Sequence, residues 1–540
     1  MTSDTILSWS QRLVAAAPLR LLGAMLIPLL MTGISACTTI GPSQTNHDSV
    51  AIAASDTTEL GRIADASLGT GGESAFRPIP MSAFSMDARL TLATHAQQSL
   101  DLQYYLLQND VTGHKLLRAV RDAALRGVRV RILVDDLYTA TSDQMLVELA
   151  SYPNIEIRLF NPFTTARSSA SARWLFSLNE FSRLNHRMHN KMFIADGALA
   201  VAGGRNIADE YFFSSKEGNF VDFDLLIAGA AVPKLQSIFD IYWNSPRVYP
   251  LAQFEKSSDD PSTLQQSFEA LTADAKTAYP TPPADQPDLL GFLPLSVDIT
   301  HTPLNLLHGH IEAFADNPEK VSGRSESGTD RTTVTYRVLE AVGEANSEVV
   351  IGSPYFIPGD LGLERLSEVR QRGVAVYVIT NSLASNDEPF ASAAYGRYRV
   401  PMLKMGVELY ELNPVEMKND PLIGKALRST IGRSHSKLII IDHRTTFVGS
   451  MNMDLRSSRE NTELGMLIDS SDLANNVLAL ANKVRSAGTF KLRLAPSGDR
   501  EQWVAVENGV EKVYASEPDV SLGTEAQILF LFPFVPEGLL

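Results

Sequence analysis

NHRMHNKMFIADGALAVAGGRN, Asn185–Asn206, returns as IGRSHSKLIIIDHRTTFVGSMN, Ile431–Asn452. Both copies reduce to one pattern: His, one residue, Lys, four residues, Asp, six residues, Gly, Gly or Ser, one residue, Asn. The first copy supplies His189, Lys191, Asp196, Gly203, Gly204 and Asn206. The second supplies His435, Lys437, Asp442, Gly449, Ser450 and Asn452. Every member is displaced by the same 246 residues (435−189, 442−196, 452−206), so the unit repeats without slippage. A lone His-x-Lys reads as a solvated strand edge, whereas a duplicated His-Lys-Asn set at constant spacing reads as chemistry.

The flanking sequence repeats too. Ala83–Gln98 has helical spacing (Phe84, Ala88, Leu92, Ala96), and Ser99–Leu107 reads as a strand. A helix over Gly113–Arg126 is closed by Gly127, and strands follow at Val128–Val134 and Ile155–Phe160. The second half replays this order with a strand at Glu348–Phe356, a helix at Asp360–Arg372, and strands at Val374–Thr380 and Val407–Leu412. Alternating strands and helices imply a mixed, largely parallel sheet covered by helices in each half. The spacing therefore predicts a tandem duplication of one α/β domain.

The motif has a chemical logic. On a strand, His435, Lys437, Ile439 and Ile441 share one face, while Leu438 and Ile440 take the other. Each copy thus sets an imidazole beside a cation, and Asn206 and Asn452 follow glycine-containing turns that bring an amide back to the pair. Lys191, Lys437, Asn206 and Asn452 can surround the oxygens of one phosphate. Two histidines can flank its phosphorus, one as nucleophile and one as acid. Asp222 and Glu463, in NFVDFDLLI and NTELGMLI, occupy matching places and are candidates to fix the histidine tautomers. Asp196 and Asp442 complete the candidate catalytic set, with bracing of the turn as their other reading. Zinc fits poorly, because each motif offers one His beside a repelling Lys and there is no Cys cluster. No metal or cofactor is expected if the cations carry the developing charge.

The 540 residues are 44% hydrophobic and 20% charged, as in ordinary globular proteins, and the net charge of −15 argues against a dedicated polyanion binder. The single cysteine, Cys37, follows a basic flank (Arg12, Arg20), the apolar run Leu21–Leu30 and Ile34-Ser35-Ala36. This has the form of a secretory leader, and the run is short for a bilayer span. An apolar residue, two small ones and Cys resemble the lipobox of bacterial lipoproteins, which implies lipidation at Cys37. An uncleaved anchor, or an over-extended start with an incidental Cys, is the other reading of this leader.

The paired motif resembles the phospholipase D superfamily, and the resemblance runs from about Phe76 to the C-terminus. More closely, the chain is similar to the cardiolipin synthase C type, on the runs Leu100–Tyr105, Phe181–Lys191, Gly203–Phe212, Thr380–Asp387 and Val407–Leu412. The resemblance implies two tandem phospholipase D-like domains with the active site at their pseudo-twofold interface. It implies transfer of a phosphatidyl group to phosphatidylglycerol through a phosphohistidine, with His189 as nucleophile and His435 as acid and base. Phospholipid substrates follow from the same reading, whereas a membrane-associated lipoprotein of the bacterial envelope with a periplasmic catalytic body follows from the leader. That leader departs from the family pattern and leaves a true synthase and an exported lipase-like relative both open. Hydrolysis of glycerophospholipids is the alternative. A nucleic-acid phosphodiesterase is disfavoured by the acidic balance, and a scaffold with a decayed site by two intact motifs.

The expected organisation is a leader over 1–37, a flexible tether over 38–75, a first domain over 76–250, a linker over 251–330 and a second domain over 331–540. Gly323–Thr329 reads as a mobile loop. Trp174, Phe176 and Phe181, just upstream of the first motif, either wall a substrate channel or pack their loop down. The apolar Ile528–Val535 is too short to span a membrane and reads as completing the core of the first domain, with dipping into a membrane as its other reading.

Overall fold

A computed structural model describes residues 48–69, 73–164, 167, 169, 171–173, 177, 180–276, 281–322, 331–419, 431–507 and 510–531. The leader with Cys37, the loop Gly323–Thr329, Trp174, Phe176 and the end of the apolar C-terminal stretch lie outside the described residues.

The first half contributes β1 (Ser74–Ile79), β2 (Ser99–Tyr104), β3 (Arg129–Asp135), β4 (Ile155–Phe160), β5 (Met192–Ala195), β6 (Leu199–Gly203), β7 (Gly218–Val221), β8 (Asp224–Ala228) and β9 (Val248–Pro250). The second half contributes β10 (Leu307–Ala315), β11 (Glu348–Gly352), β12 (Ala375–Thr380), β13 (Glu408–Leu412), β14 (Ile431–Ser434), β15 (Leu438–Ile441) and β16 (Thr445–Gly449). It ends with β17 (Leu464–Asp469), β18 (Thr489–Leu494), β19 (Glu501–Glu507) and β20 (Val510–Tyr514). In each half a parallel trio, β2-β3-β4 or β11-β12-β13, is continued by antiparallel strands. The parallel trio follows from helical crossovers, such as Val111–Leu125 between β2 and β3. The antiparallel strands follow from the tight hairpins that join β5 to β6 and β15 to β16.

The two half-sheets are one. β1 pairs antiparallel with β8 on one side and with β10 on the other, and β10 continues into β17. An apolar core lies on the helix-covered face of each half, and a third cluster spans both halves. Ile439 and Ile441 enter the core of the second half, while Ile440 enters the shared one, as alternation along β15 requires.

Three segment boundaries differ from the sequence expectation. The tether expected over 38–75 is bound to the first half from Ser49 onward. Ser49 N donates to Asn244 at 3.1 Å and Ala51 N to Asp240 at 2.8 Å. Leu60, Ile63 and Ala64, spaced i, i+3, i+4 within a polar run, bury one face of the helix Glu59–Ser67, which Thr58 caps. The linker expected over 251–330 holds the helix Pro261–Leu271, anchored by buried Phe268 against Tyr152. It also holds β10, so the sheet of the second half starts well before residue 331. Finally, the helix Leu522–Leu531 packs against Pro389–Lys404 of the second half rather than completing the first core, and Phe530 is exposed. No helix among the described residues is long and apolar enough to cross a membrane.

Candidate active site

His189 and Lys191 lie on the extended lead-in to β5, and His435 and Lys437 on the lead-in to β15. They precede the regular strands because their backbones pair across the two halves instead. His189 N donates to Thr462 O at 2.8 Å, and His435 N to Val221 O at 2.8 Å. β14 runs parallel to β7 with Ser434 opposite Val221, and Met188 bridges Thr462 in the same sense. The residue after Thr462 is Glu463, and the residue after Val221 is Asp222. Each carboxylate is thereby delivered to the histidine of the opposite half. His189 Nδ1 lies 2.9 Å from Glu463 Oε2, and His435 Nδ1 lies 2.7 Å from Asp222 Oδ2.

A second clamp sets the lead-ins from behind. At the end of β3, Asp135 accepts from Met188 N at 2.8 Å. At the end of β12, Asn381 exchanges two 2.9 Å bonds with the backbone of Ser434. Strand ends of the parallel trio thus hold the residue immediately before each histidine.

The histidines open onto one cleft of about 510 Å3, which Asn206 and Asn452 also line. Tyr105 packs edge-on to His189 with centroids 4.9 Å apart, and Tyr211 edge-on to His435 at 5.0 Å. Asn206 donates to the Tyr211 hydroxyl at 2.9 Å. Lys191 donates to the carbonyl of His189 and stands 5.1 Å from the Tyr105 ring centroid. Lys437 donates to the carbonyl of His435 at 2.6 Å and stands 3.0 Å from its Nε2.

Burial controls the charges. It drives His189 down to about 4 against the pull of Glu463, and it holds His435 well below its ordinary value, helped by Lys437 and Lys191. Burial lowers Lys437 to about 8 and holds Lys191 well below its ordinary value. The two carboxylates differ. Burial pushes Asp222 up to about 7 against Lys437 and Arg205. Burial also pushes on Glu463, but His189, Lys191 and Ser450 outweigh it and hold that carboxyl below its usual range. Glu463 accepts from the hydroxyls of Ser450 and Ser457. Asp222 has no such hydroxyl at the matching place, because position 204 is glycine.

Asp196 and Asp442, the remaining candidates, are not brought to the cleft. Seven residues of extended chain set each about 20 Å along the backbone from its histidine. Asp196 has φ 51° and accepts from the backbone N–H groups of Gln97, Gln98 and Ser99. Asp442 has φ 52° and accepts from those of Asn346, Ser347 and Glu348. Each opens a hairpin in the left-handed region that Asp tolerates, and pins the strand start beside it. The catalytic reading of these two aspartates therefore gives way to the bracing one.

Sequence reasoning did not single out Tyr138, Glu210, Tyr211, Glu388, Arg433, Asp454, Arg456 and Asn461 as lining the cleft. Glu210, Tyr211 and Asp387 fell inside runs already noted, as did Tyr105, and Tyr355 lay in the strand expected over Glu348–Phe356. Phe181 is exposed and takes no part in the cleft. Among the described residues, no group of three or more His, Cys, Asp or Glu is placed to hold a metal.

Residues 90–243 and 338–484 match the family described as "Cardiolipin synthase, PLD-like domain". Cardiolipin synthase C of Escherichia coli (strain K12) is 36% identical over 457 residues, 83% of this chain and 93% of that protein. An uncharacterized protein of Helicobacter pylori (strain ATCC 700392 / 26695) is 30% identical over 442 residues, 80% of this chain and 83% of that one. Among solved structures, phosphatidylserine synthase of Haemophilus influenzae Rd KW20 aligns with 89% of this chain and 100% of its own. Its TM-score is 0.54 at 13% identity, a likeness of fold.

Proposed function

The chain belongs to the cardiolipin synthase family of phospholipase D-like enzymes, and from that membership we propose that it makes cardiolipin by phosphatidyl transfer through a phosphohistidine. The observation that carries the reading is the pair of imidazoles on one cleft, each backed by a carboxylate from the other half.

His189 Nε2 attacks phosphorus, and the bond to the leaving headgroup oxygen breaks with its electron pair. That oxygen takes a proton from His435. The hydroxyl of phosphatidylglycerol then gives its proton back to His435 and attacks phosphorus. The phosphorus–nitrogen bond breaks, and its pair returns to His189. Lys191, Lys437, Asn206 and Asn452 hold the phosphate oxygens, where charge develops. The assignment of His189 as nucleophile draws support from Glu463, which stays ionised behind it and offsets the positive charge of a phosphorylated imidazole. Behind His435, Asp222 is pushed by burial up to about 7, where a carboxyl can take or release a proton near neutrality, which suits an acid and base. The anionic substrate draws both lysines and His435 back toward their charged forms.

Purified protein in mixed micelles containing phosphatidylglycerol is expected to form cardiolipin, and His189→Ala to form none. Phosphatidic acid as the sole product would replace the transferase by a hydrolase. Turnover of an oligonucleotide instead of any lipid would replace both.

Cys37 is the lipid attachment site in this reading, with the catalytic body at the periplasmic face of a membrane. Radiolabelled fatty acid supplied to growing cells is then incorporated by the wild-type chain and not by Cys37→Ser. Equal labelling of the two removes the anchor.

A further inference from the structure

Two residues before each motif histidine stands an arginine, Arg187 in the first copy and Arg433 in the second, again 246 apart (433−187). Their fates differ. Arg187 is fully buried, lies 3.2 Å from Asp135 Oδ1, and donates to the carbonyls of Leu184 and Asn161 at 2.7 and 3.1 Å. The position equivalent to Asp135 is Asn381, and that amide is taken by the backbone of Ser434. Arg433 therefore has no carboxylate paired to it at that place. It is half-buried, no group among the described residues accepts from it, and its Nε is buried without a partner. Its guanidinium lies over Gly218, where a Cβ would stand 3.2 Å from Cζ and Nη1, and it lines the cleft.

The other guanidinium lining the cleft is committed. Arg456 donates to Asn185 Oδ1 and O at 3.1 and 3.0 Å. Four carboxyl groups share the wall: Glu210, Asp387, Glu388 and Asp454. Asp387 is held by the hydroxyl of Tyr355. Glu210 feels the field of Arg433, which acts against the upward push of burial on its carboxyl. An anion entering the cleft beside the reacting phosphate therefore meets repulsion on most of the wall and one unspent fork of donors.

We propose that Arg433 binds the spectator phosphodiester of the acceptor lipid, and so favours phosphatidylglycerol over water and simple alcohols as the second substrate. This rests on the transferase reading above. The spacing suits it: Arg433 and His435 are alternate residues of extended chain, about 6.6 Å apart at Cα and on the same side. That is the order of the span of a glycerol bridge with its two ester oxygens, which is what separates the two phosphates once the acceptor oxygen has reached phosphorus. In the first copy Asp135 cancels the equivalent arginine, so the pseudo-symmetric cleft has one such anchor and hence one acceptor side.

The test is a partition measured from the shared intermediate. Full-length protein is given acyl-labelled phosphatidylglycerol and butan-1-ol in mixed micelles. Labelled cardiolipin, phosphatidylbutanol and phosphatidic acid are then counted from one tube. Defects in donor binding or folding lower all three alike and leave their ratios untouched. Arg433→Gln is expected to lower the cardiolipin to phosphatidylbutanol ratio at least about tenfold, the loss of one charge-assisted contact. Arg433→Lys, which keeps the charge without the fork, is expected to fall between. A ratio unchanged in both variants overturns the proposal, as does loss of all three products in Arg433→Gln. Wild-type protein that forms phosphatidylbutanol and phosphatidic acid but no cardiolipin refutes the cardiolipin-forming reading itself, a different failure.

Discussion

At His189 burial and Glu463 pull in opposite directions, and burial prevails, leaving the ring at about 4 against an ordinary 6.5. A histidine lowered in the folded state contributes stability that is complete above pH 6.5 and is lost as the pH falls through about 4. The melting temperature of the wild-type protein is therefore expected to fall across that window, and to fall less in His189→Asn; superimposable curves in scanning calorimetry would contradict this. The alkaline side belongs to Lys437, lowered by burial to about 8. Transfer is expected to decline as the pH rises through about 8 and that ammonium is lost, and a rate that holds level well beyond this point argues against its role. The residues behind these predictions were legible because one pattern of fixed spacing contains them. Arg433 stands in the same stretch and was not legible there, since its meaning lies in what Asn381 fails to offer it.

The hairpins and strand ends carry their own consequences. A Cβ at Gly204 would stand 2.1 Å from Asp222 Oδ1, whereas the matching Ser450 hydroxyl reaches the longer Glu463. Gly with Asp and Ser with Glu are thus matched solutions to one spacing. Gly204→Ser is expected to displace Asp222 from His435 and to lower transfer on the order of tenfold or more. Unaltered kinetics would mean that Asp222 does not position that ring. Asp196→Ala strands three backbone N–H groups and is expected to cost about 3 kcal/mol in urea unfolding. Asp442→Ala, whose partners Asn346 and Ser347 are exposed, is expected to cost less. Strands and helices of the parallel trios were readable to within a few residues, because apolar spacing and glycine stops mark them. The helix Glu59–Ser67 was not, since three apolar residues in a polar run carry too weak a signal, and β10 was hidden within a segment whose flanks are rich in proline.

Across the whole molecule the two halves are joined by the β1–β10 seam and by the exchange of carboxylates. The duplication was plain in the sequence, but the crossing of partners was not: nothing in a linear repeat says that Glu463 serves His189. Double-mutant cycles on unfolding free energy are expected to couple His189 with Glu463 and His435 with Asp222 by more than about 1 kcal/mol. The same-half pairs, His189 with Asp222 and His435 with Glu463, are expected to be additive. Coupling within halves instead would reverse the assignment.

Asp135 on one side of the axis and Asn381 on the other describe a freedom that identical subunits lack. In an assembly of two copies from one gene, every substitution appears twice, and a change that suits one partner in a reaction is forced upon the other. Joined end to end, the copies inherit separately. A mutation on the acceptor flank has no mirror image on the donor flank, so a reaction with a direction can, over generations, impress that direction on a scaffold that began without one.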